Sequence, residues 1–102
     1  MNENKDFDER LQGIARVVGC DINELHAIYQ RIQQKGCLHV EELRRLSSFG
    51  VPIVDGISKL KNTPKGEVHK LVASGEITIF DVEQIIKEWT NKKGEFYFMQ
   101  KY

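Results

Sequence analysis

Four residues have the side chains that bind a soft metal: Cys20, His26, Cys37 and His39. Zinc prefers thiolate and imidazole ligands, and its structural sites usually bring them in close pairs such as Cys-x2-Cys or His-x3-His. The close pair here is Cys37-x-His39, whose one-residue gap is atypical. Cys20 and His26 also supply a thiol and a base, but no local signature of a cysteine nucleophile surrounds them. The chain has no Gly-x-Ser-x-Gly elbow, no Walker loop and no His-Glu-x-x-His pair. Its carboxylates fall singly along helical faces, and His26 and His69 sit beside the apolar positions Leu25 and Val68 as partly exposed helix residues. The expectation is a chain with no metal, no cofactor and no catalytic residue, and so not an enzyme.

Nucleic-acid binding is the chemical alternative. Ile53–Leu60, a turn at Lys61-Asn62-Thr63 and Pro64–Ala73 have helix-turn-helix spacing, continued by Ser74-Gly75-Glu76-Ile77. Across residues 51–75, Lys59, Lys61, Lys65 and Lys70 outnumber Asp55 and Glu67, a mildly basic balance. The second helix of that pair carries no Arg, Asn or Gln for bidentate base contacts. Residues 53–77 therefore stand as the alternative reading, a helix-turn-helix DNA-binding domain. The spacing is also a common way to pack short helices where no DNA is involved.

These residues must be positioned by about one domain's worth of chain, 102 residues. Fifteen basic and fifteen acidic side chains give a formal net charge of zero, which argues against a histone-like binder or a polybasic membrane anchor. An apolar fraction of 40% with two prolines is a foldable composition. No apolar run approaches a membrane span, and the polar start Met1-Asn2-Glu3-Asn4-Lys5-Asp6 has no signal-peptide core. The two cysteines read as reduced thiols.

The elements read as helices. Apolar residues recur with helical spacing in six stretches: Phe7, Leu11, Ile14, Ala15 and Val18; Leu25, Ile28, Tyr29 and Ile32; Val40, Leu43 and Leu46; Ile53, Ile57 and Leu60; Val68, Leu71 and Val72; Val82, Ile85, Ile86 and Trp89. Gly19, Gly36, Gly50, Gly75 and Gly94 follow such stretches as C-terminal stops. Asp21-Ile22-Asn23-Glu24 has capping-box form, Thr78 precedes Asp81 in a like relation, and Thr63-Pro64 reads as an N-cap with proline at the first helical position. Pro52 is placed the same way. Ile77-Thr78-Ile79-Phe80 looks like a strand, too short and isolated to build a sheet. The fold class is all-α, a compact bundle of about six short helices in a single domain over residues 7–94.

A faint internal repeat divides that domain. Residues 11–28 align with 54–71, matching Gly13 with Gly56, Ile14 with Ile57, Glu24 with Glu67 and His26 with His69. Residues 36–46 then align with 75–85. Two tandem three-helix, helix-turn-helix-like units over about 7–49 and 50–93 would each have too few core residues to stand alone, and should pack on each other.

Several patches, in order, resemble the N-terminal region of phage tail tape-measure proteins over most of residues 11–99. Gly36-Cys37-Leu38 with Glu41-Glu42-Leu43-Arg44-Arg45-Leu46 is similar to that family's turn and following helix. Phe49-Gly50-Val51-Pro52-Ile53-Val54 resembles its Gly-(Val/Ile)-Pro helix start. Leu71-Val72-Ala73-Ser74-Gly75-Glu76-Ile77 with Phe80-Asp81-Val82 resembles its Ser-x-Gly-x-Ile and Phe-Asp-Asp-Val stretch, and Lys93-Gly94-Glu95-Phe96-Tyr97-Phe98-Met99 its Gly-Gly-x-Phe-Tyr-x-Met motif. Lys93 stands where the family has a first glycine, one acidic residue is lost before Val82, and Gly56 interrupts a helix the family fills with good helix formers.

The resemblance implies a non-catalytic structural protein of a phage or prophage virion, assembled in the bacterial cytoplasm and acting in tail assembly and tail length determination. Its implied partners are the rest of the tape-measure chain, tail-assembly proteins and a second copy of itself, without membrane contact by this segment and without nucleic acid. The long coiled region that acts as a ruler in that family is missing here, so the expectation is a piece of a longer chain. The apolar tail over 95–102 supplies the expected interaction residues, Phe96, Tyr97, Phe98 and Met99.

Overall fold

Helix boundaries follow from caps. Asp21 Oδ1 accepts from the Asn23 N–H at 2.7 Å and opens a helix over Ile22–Lys35. That is a bond to the second helical residue, where a capping box would use the third, at Glu24. At the other end Gly36 turns left-handed, with φ +83°, and its N–H returns to the Ile32 carbonyl. Thr78 and Asp81 form a full capping box: Thr78 Oγ1 accepts from the Asp81 N–H at 3.2 Å, and Asp81 Oδ2 accepts from the Thr78 N–H at 3.0 Å.

The computed structural model describes residues 3–91, with side chains from Phe7 onward. In order, α1 spans Glu3–Val18, α2 Ile22–Lys35, α3 Val40–Ser48, α4 Ile53–Lys61, α5 Val68–Ala73 and α6 Ile79–Thr90. The described residues contain no strand, and the bundle is all-α. The apolar stripes read from the sequence form one core: every residue of the α2 and α6 stripes is buried, and Val18, Val40, Leu60 and Leu71 lie half-buried at its edge. Phe7 stacks on Tyr29 with ring centroids 4.6 Å apart, fixing α1 against α2.

One expected helix is shorter than its sequence pattern. Pro64–Ala73 divides into a 3-10 turn at Lys65–Glu67 and the six-residue α5. Pro64 is extended, with ψ 147°, and occupies the cap position itself, so Thr63 does not cap. The Thr63 carbonyl instead accepts from Ser58 Oγ at 2.5 Å. Pro52 likewise precedes α4 at its cap, and the Gly56 N–H reaches its carbonyl at 3.1 Å.

The strand-like Ile77-Thr78-Ile79 segment makes a single antiparallel bridge. The Leu38 N–H donates to the Ile77 carbonyl at 2.8 Å, and the Ile79 N–H to the Gly36 carbonyl at 3.0 Å. These are the segments that the repeat aligns, Gly36–Val40 with Gly75–Ile79. Leu38 and Ile77, equivalent in that alignment, lie across from each other and are fully buried. The helices follow the same scheme: α1 packs on α2 and on α6, while α4 packs on α5 and on α3. The first helix of each trio thus meets the last helix of the other, and α4 packs on α6 as well.

Gly56 lets α4 and α6 pack closely. It is buried within α4, and a Cβ built there would lie 2.6 Å from Ile85 Cγ2 and 2.9 Å from Trp89 Cζ2. The residue that weakens α4 as a helix is the one that lets α6 approach it.

Candidate functional site

The residues first considered for metal binding are dispersed by the fold. Cys20 follows α1, and Cys37 and His39 lie in the α2–α3 turn. His26 faces α1, its Nε2 3.0 Å from Asp8 Oδ1. Among the described residues, no group of three or more His, Cys, Asp or Glu side chains is placed to hold a metal ion. Burial pushes the Cys20 thiol up, only partly offset by a backbone hydrogen bond, and the Glu24 and Asp21 charges add to the rise. The reactive thiolate is thereby disfavoured.

The polar ties of α1 are of two kinds. The His26–Asp8 pair joins it to α2, and Arg10 Nη1 donates to Thr90 Oγ1 at 2.6 Å and to the Lys87 carbonyl at 3.4 Å on α6. Beside the first tie, the Tyr29 hydroxyl donates to Glu83 Oε2 at 2.5 Å, linking α2 to α6. Burial, then the hydrogen bond to Glu83 and its charge, raise the Tyr29 pKa well above the usual phenol range. A cleft of about 280 Å³ lies over Asp8, His26, Tyr29 and Gln33. The His26–Asp8, Gln33–Tyr29 and Tyr29–Glu83 hydrogen bonds there brace three helices.

Three of the four lysines over residues 51–75 are paired with carboxylates, one of which, Asp81, lies outside that stretch. Lys61 Nζ meets Asp81 Oδ2 at 3.2 Å, Lys65 Nζ meets Asp55 Oδ1 at 2.9 Å, and Lys70 Nζ lies 3.6 Å from Glu67 Oε1. Lys59 is also engaged. The would-be recognition helix is α5, less than two turns long. These surface pairs are individually weak, yet they put a carboxylate beside Lys61, Lys65 and Lys70.

Two features remain on the outside. Phe80, at the start of α6, is 75% exposed, the one large hydrophobic residue so exposed among the described residues. An open groove of about 390 Å³ runs between the α3 start, at Cys37, His39 and Val40, and the α5 end, at Val72 and Ala73. Its walls mix apolar and polar atoms without a convergent set of hydrogen-bonding groups. The expected interaction residues Phe96, Tyr97, Phe98 and Met99 lie outside the described residues.

Sequence reasoning missed Glu42. It sits in the polar run Glu41-Glu42-Leu43-Arg44-Arg45, yet it is fully buried, the one charged side chain so placed among the described residues. Lys35 Nζ lies 3.3 Å and 3.2 Å from its two carboxylate oxygens, closing the α2–α3 turn. Its helical spacing was the available signal, since Glu42 lies four residues before Leu46 on the buried side of α3.

Among described helices none is long and apolar enough to cross a membrane. No family model, curated protein or solved structure matches this chain.

Proposed function

We propose that this chain is a non-catalytic structural and interaction domain of a phage or prophage tail tape-measure protein, acting in tail assembly and tail length determination. The observation that carries this reading is the ordered series of sequence patches from Gly36 to Met99. The places those patches occupy lend support. Phe49-Gly50-Val51-Pro52 makes the turn between α3 and α4, with Val51 buried and its N–H on the Leu46 carbonyl at 3.0 Å. Ser74-Gly75-Glu76-Ile77 turns α5 into the central bridge. Among the described residues, those behind the resemblance at 49–52 and 74–77 form turns of the bundle.

On this reading the domain belongs to the virion and is assembled in the bacterial cytoplasm. Its partners are the remainder of the tape-measure chain and tail-assembly proteins, with self-association through the apolar Phe96-Tyr97-Phe98-Met99 segment. The test is a photo-crosslinking residue in place of Phe96 or Phe98, introduced into the chain in its native host. Cross-links to identified tail-tube, baseplate or tail-chaperone proteins, together with detection of the chain in purified tails, are expected. Absence of the chain from tail particles would refute the reading. Titration with duplex DNA addresses the helix-turn-helix alternative over residues 53–77. No binding is expected at low salt, whereas tight binding that weakens steeply with salt would favour that alternative.

A further inference from the structure

Glu42 and Asp81 hold equivalent places in the two aligned segments. Each lies six residues past a left-handed glycine, Gly36 at φ +83° and Gly75 at φ +79°. Two residues past each glycine, Leu38 and Ile77 meet across the antiparallel bridge. A glycine followed six residues later by an acidic residue in the first turn of the outgoing helix is the spacing of a calcium-binding helix–loop–helix. There the glycine makes the sharp turn and the acidic side chain grips the ion with both oxygens.

The side-chain ligands that precede the glycine in such a loop stand five, three and one residues before it, and a further one, often acting through water, stands three residues after it, where this chain has His39 and Thr78. Here the preceding places hold Arg31, Gln33 and Lys35 in the first half, and Lys70, Val72 and Ser74 in the second. No carboxylate is left among them. α2 also stays helical through Lys35, so the chain does not wrap around an ion. The acidic groups have nonetheless kept a cation. Lys35 Nζ is within 3.3 Å of both oxygens of Glu42, the two-oxygen grip that a calcium ion would receive. Asp81 has Lys61 Nζ at 3.2 Å. Lys35 lies one residue before the glycine of its own loop, whereas Lys61 comes from α4. Asp81 Oδ2 also accepts from the Thr78 N–H at 3.0 Å, so in the second half the carboxylate caps α6 and Lys61 meets one oxygen, while in the first half both oxygens of the buried Glu42 face Lys35.

We infer that the first of the two turns follows the plan of a calcium loop in which a lysine ammonium replaces the divalent ion, Lys35 at Glu42. The bundle is locked in one geometry whatever the divalent-cation concentration.

The test compares the whole chain with two sets of variants. Wild-type protein should melt at the same temperature in EDTA and in about 10 mM calcium chloride. Lys35→Asp replaces the ammonium by a carboxylate beside Glu42. It should melt lower in EDTA and regain about 5 °C on calcium addition, as expected for a site of roughly millimolar affinity. Lys35→Met should lower the melting temperature by about 10 °C, and adding Glu42→Gln should restore more than half of that loss, because the buried charge goes with its partner. The inference is overturned by a calcium response in the wild type. It is overturned equally if Lys35→Asp folds and ignores calcium. If Lys35→Asp does not fold, the Lys35–Glu42 pairing decides, and the absence of rescue by Glu42→Gln refutes it.

Discussion

Replacing Gly56 by alanine sets two effects of known sign against each other. Glycine inside a helix costs about 1 kcal/mol relative to alanine, so propensity alone makes Gly56→Ala stabilising. The packing opposes it. The new Cβ would lie 2.6 Å from Ile85 Cγ2 and 2.9 Å from Trp89 Cζ2, where carbon atoms prefer about 3.5–4.0 Å. α6 would have to retreat by about 1 Å, or Ile85 and Trp89 would have to leave their rotamers. Both are buried, at 3% and 6% exposure, with little space to enter. Overpacking of this kind costs about 1–3 kcal/mol, and its effect spreads along α6. A contact as short as 2.6 Å puts the cost in the upper part of that range, about 2–3 kcal/mol, so the net expectation is a loss of about 1–2 kcal/mol, or a melting temperature lower by about 5–15 °C for a domain of this size. Thermal and urea unfolding followed by helical circular dichroism and by Trp89 fluorescence measure it. In an Ile85→Ala background, where the nearer clash is gone and the Trp89 contact remains, the same substitution should cost less than it does in the wild type. A Gly56→Ala variant that melts at or above the wild-type temperature would refute the claim that α4 and α6 touch through this glycine.

Other changes test other joints. Thr78→Ala removes one half of the capping box on α6 and should cost about 1 kcal/mol, read from the urea midpoint. The Tyr29 pKa is raised on folding, above the ordinary phenol value of 10.0. Its contribution is therefore fully present below about pH 10 and is lost as pH rises beyond it, because the unfolded chain ionises first. Tyr29→Phe should remove that part of the alkaline destabilisation, which a pH series of melting curves would reveal. Deleting residues 95–102 should leave a helical domain and reduce self-association by size-exclusion chromatography with light scattering. Loss of the whole fold would contradict a docking role for that segment.

The sequence discloses helices more readily than it discloses how they touch. A stripe such as Leu25, Ile28, Tyr29 and Ile32 is legible because helical geometry projects i, i+3, i+4 and i+7 onto one side, and that side must be buried somewhere. Thr78 and Asp81 are legible for a similar reason, since a capping box is local and its two bonds depend on residues three apart. The misread at Thr63-Pro64 is local too: proline can serve at a cap or one place inside it, and Gly66 weakens the continuation enough for a 3-10 turn to precede α5.

What stayed hidden depends on pairs distant in sequence. Gly56 looks like a defect until α6 lies against it. Leu38 and Ile77 sit in turns and belong to no stripe, yet they pair across the middle of the molecule. Lys61, Lys65 and Lys70 look like a basic patch in one dimension, while Lys61 is paired only once α6 brings Asp81 beside α4. Charge counts along a chain therefore overstate its surface field wherever helices of opposite bias cross. Glu42 is the sharpest instance, because its residue type argues for solvent while its position argues for the core. Position prevails since Lys35 supplies the opposite charge from the end of α2, and a buried carboxylate is tolerated when its partner arrives with the fold. The same reasoning governs the exposed Phe80, whose type argues for burial. Its place at the start of α6, off the Val82, Ile85, Ile86 and Trp89 stripe, leaves it 75% exposed.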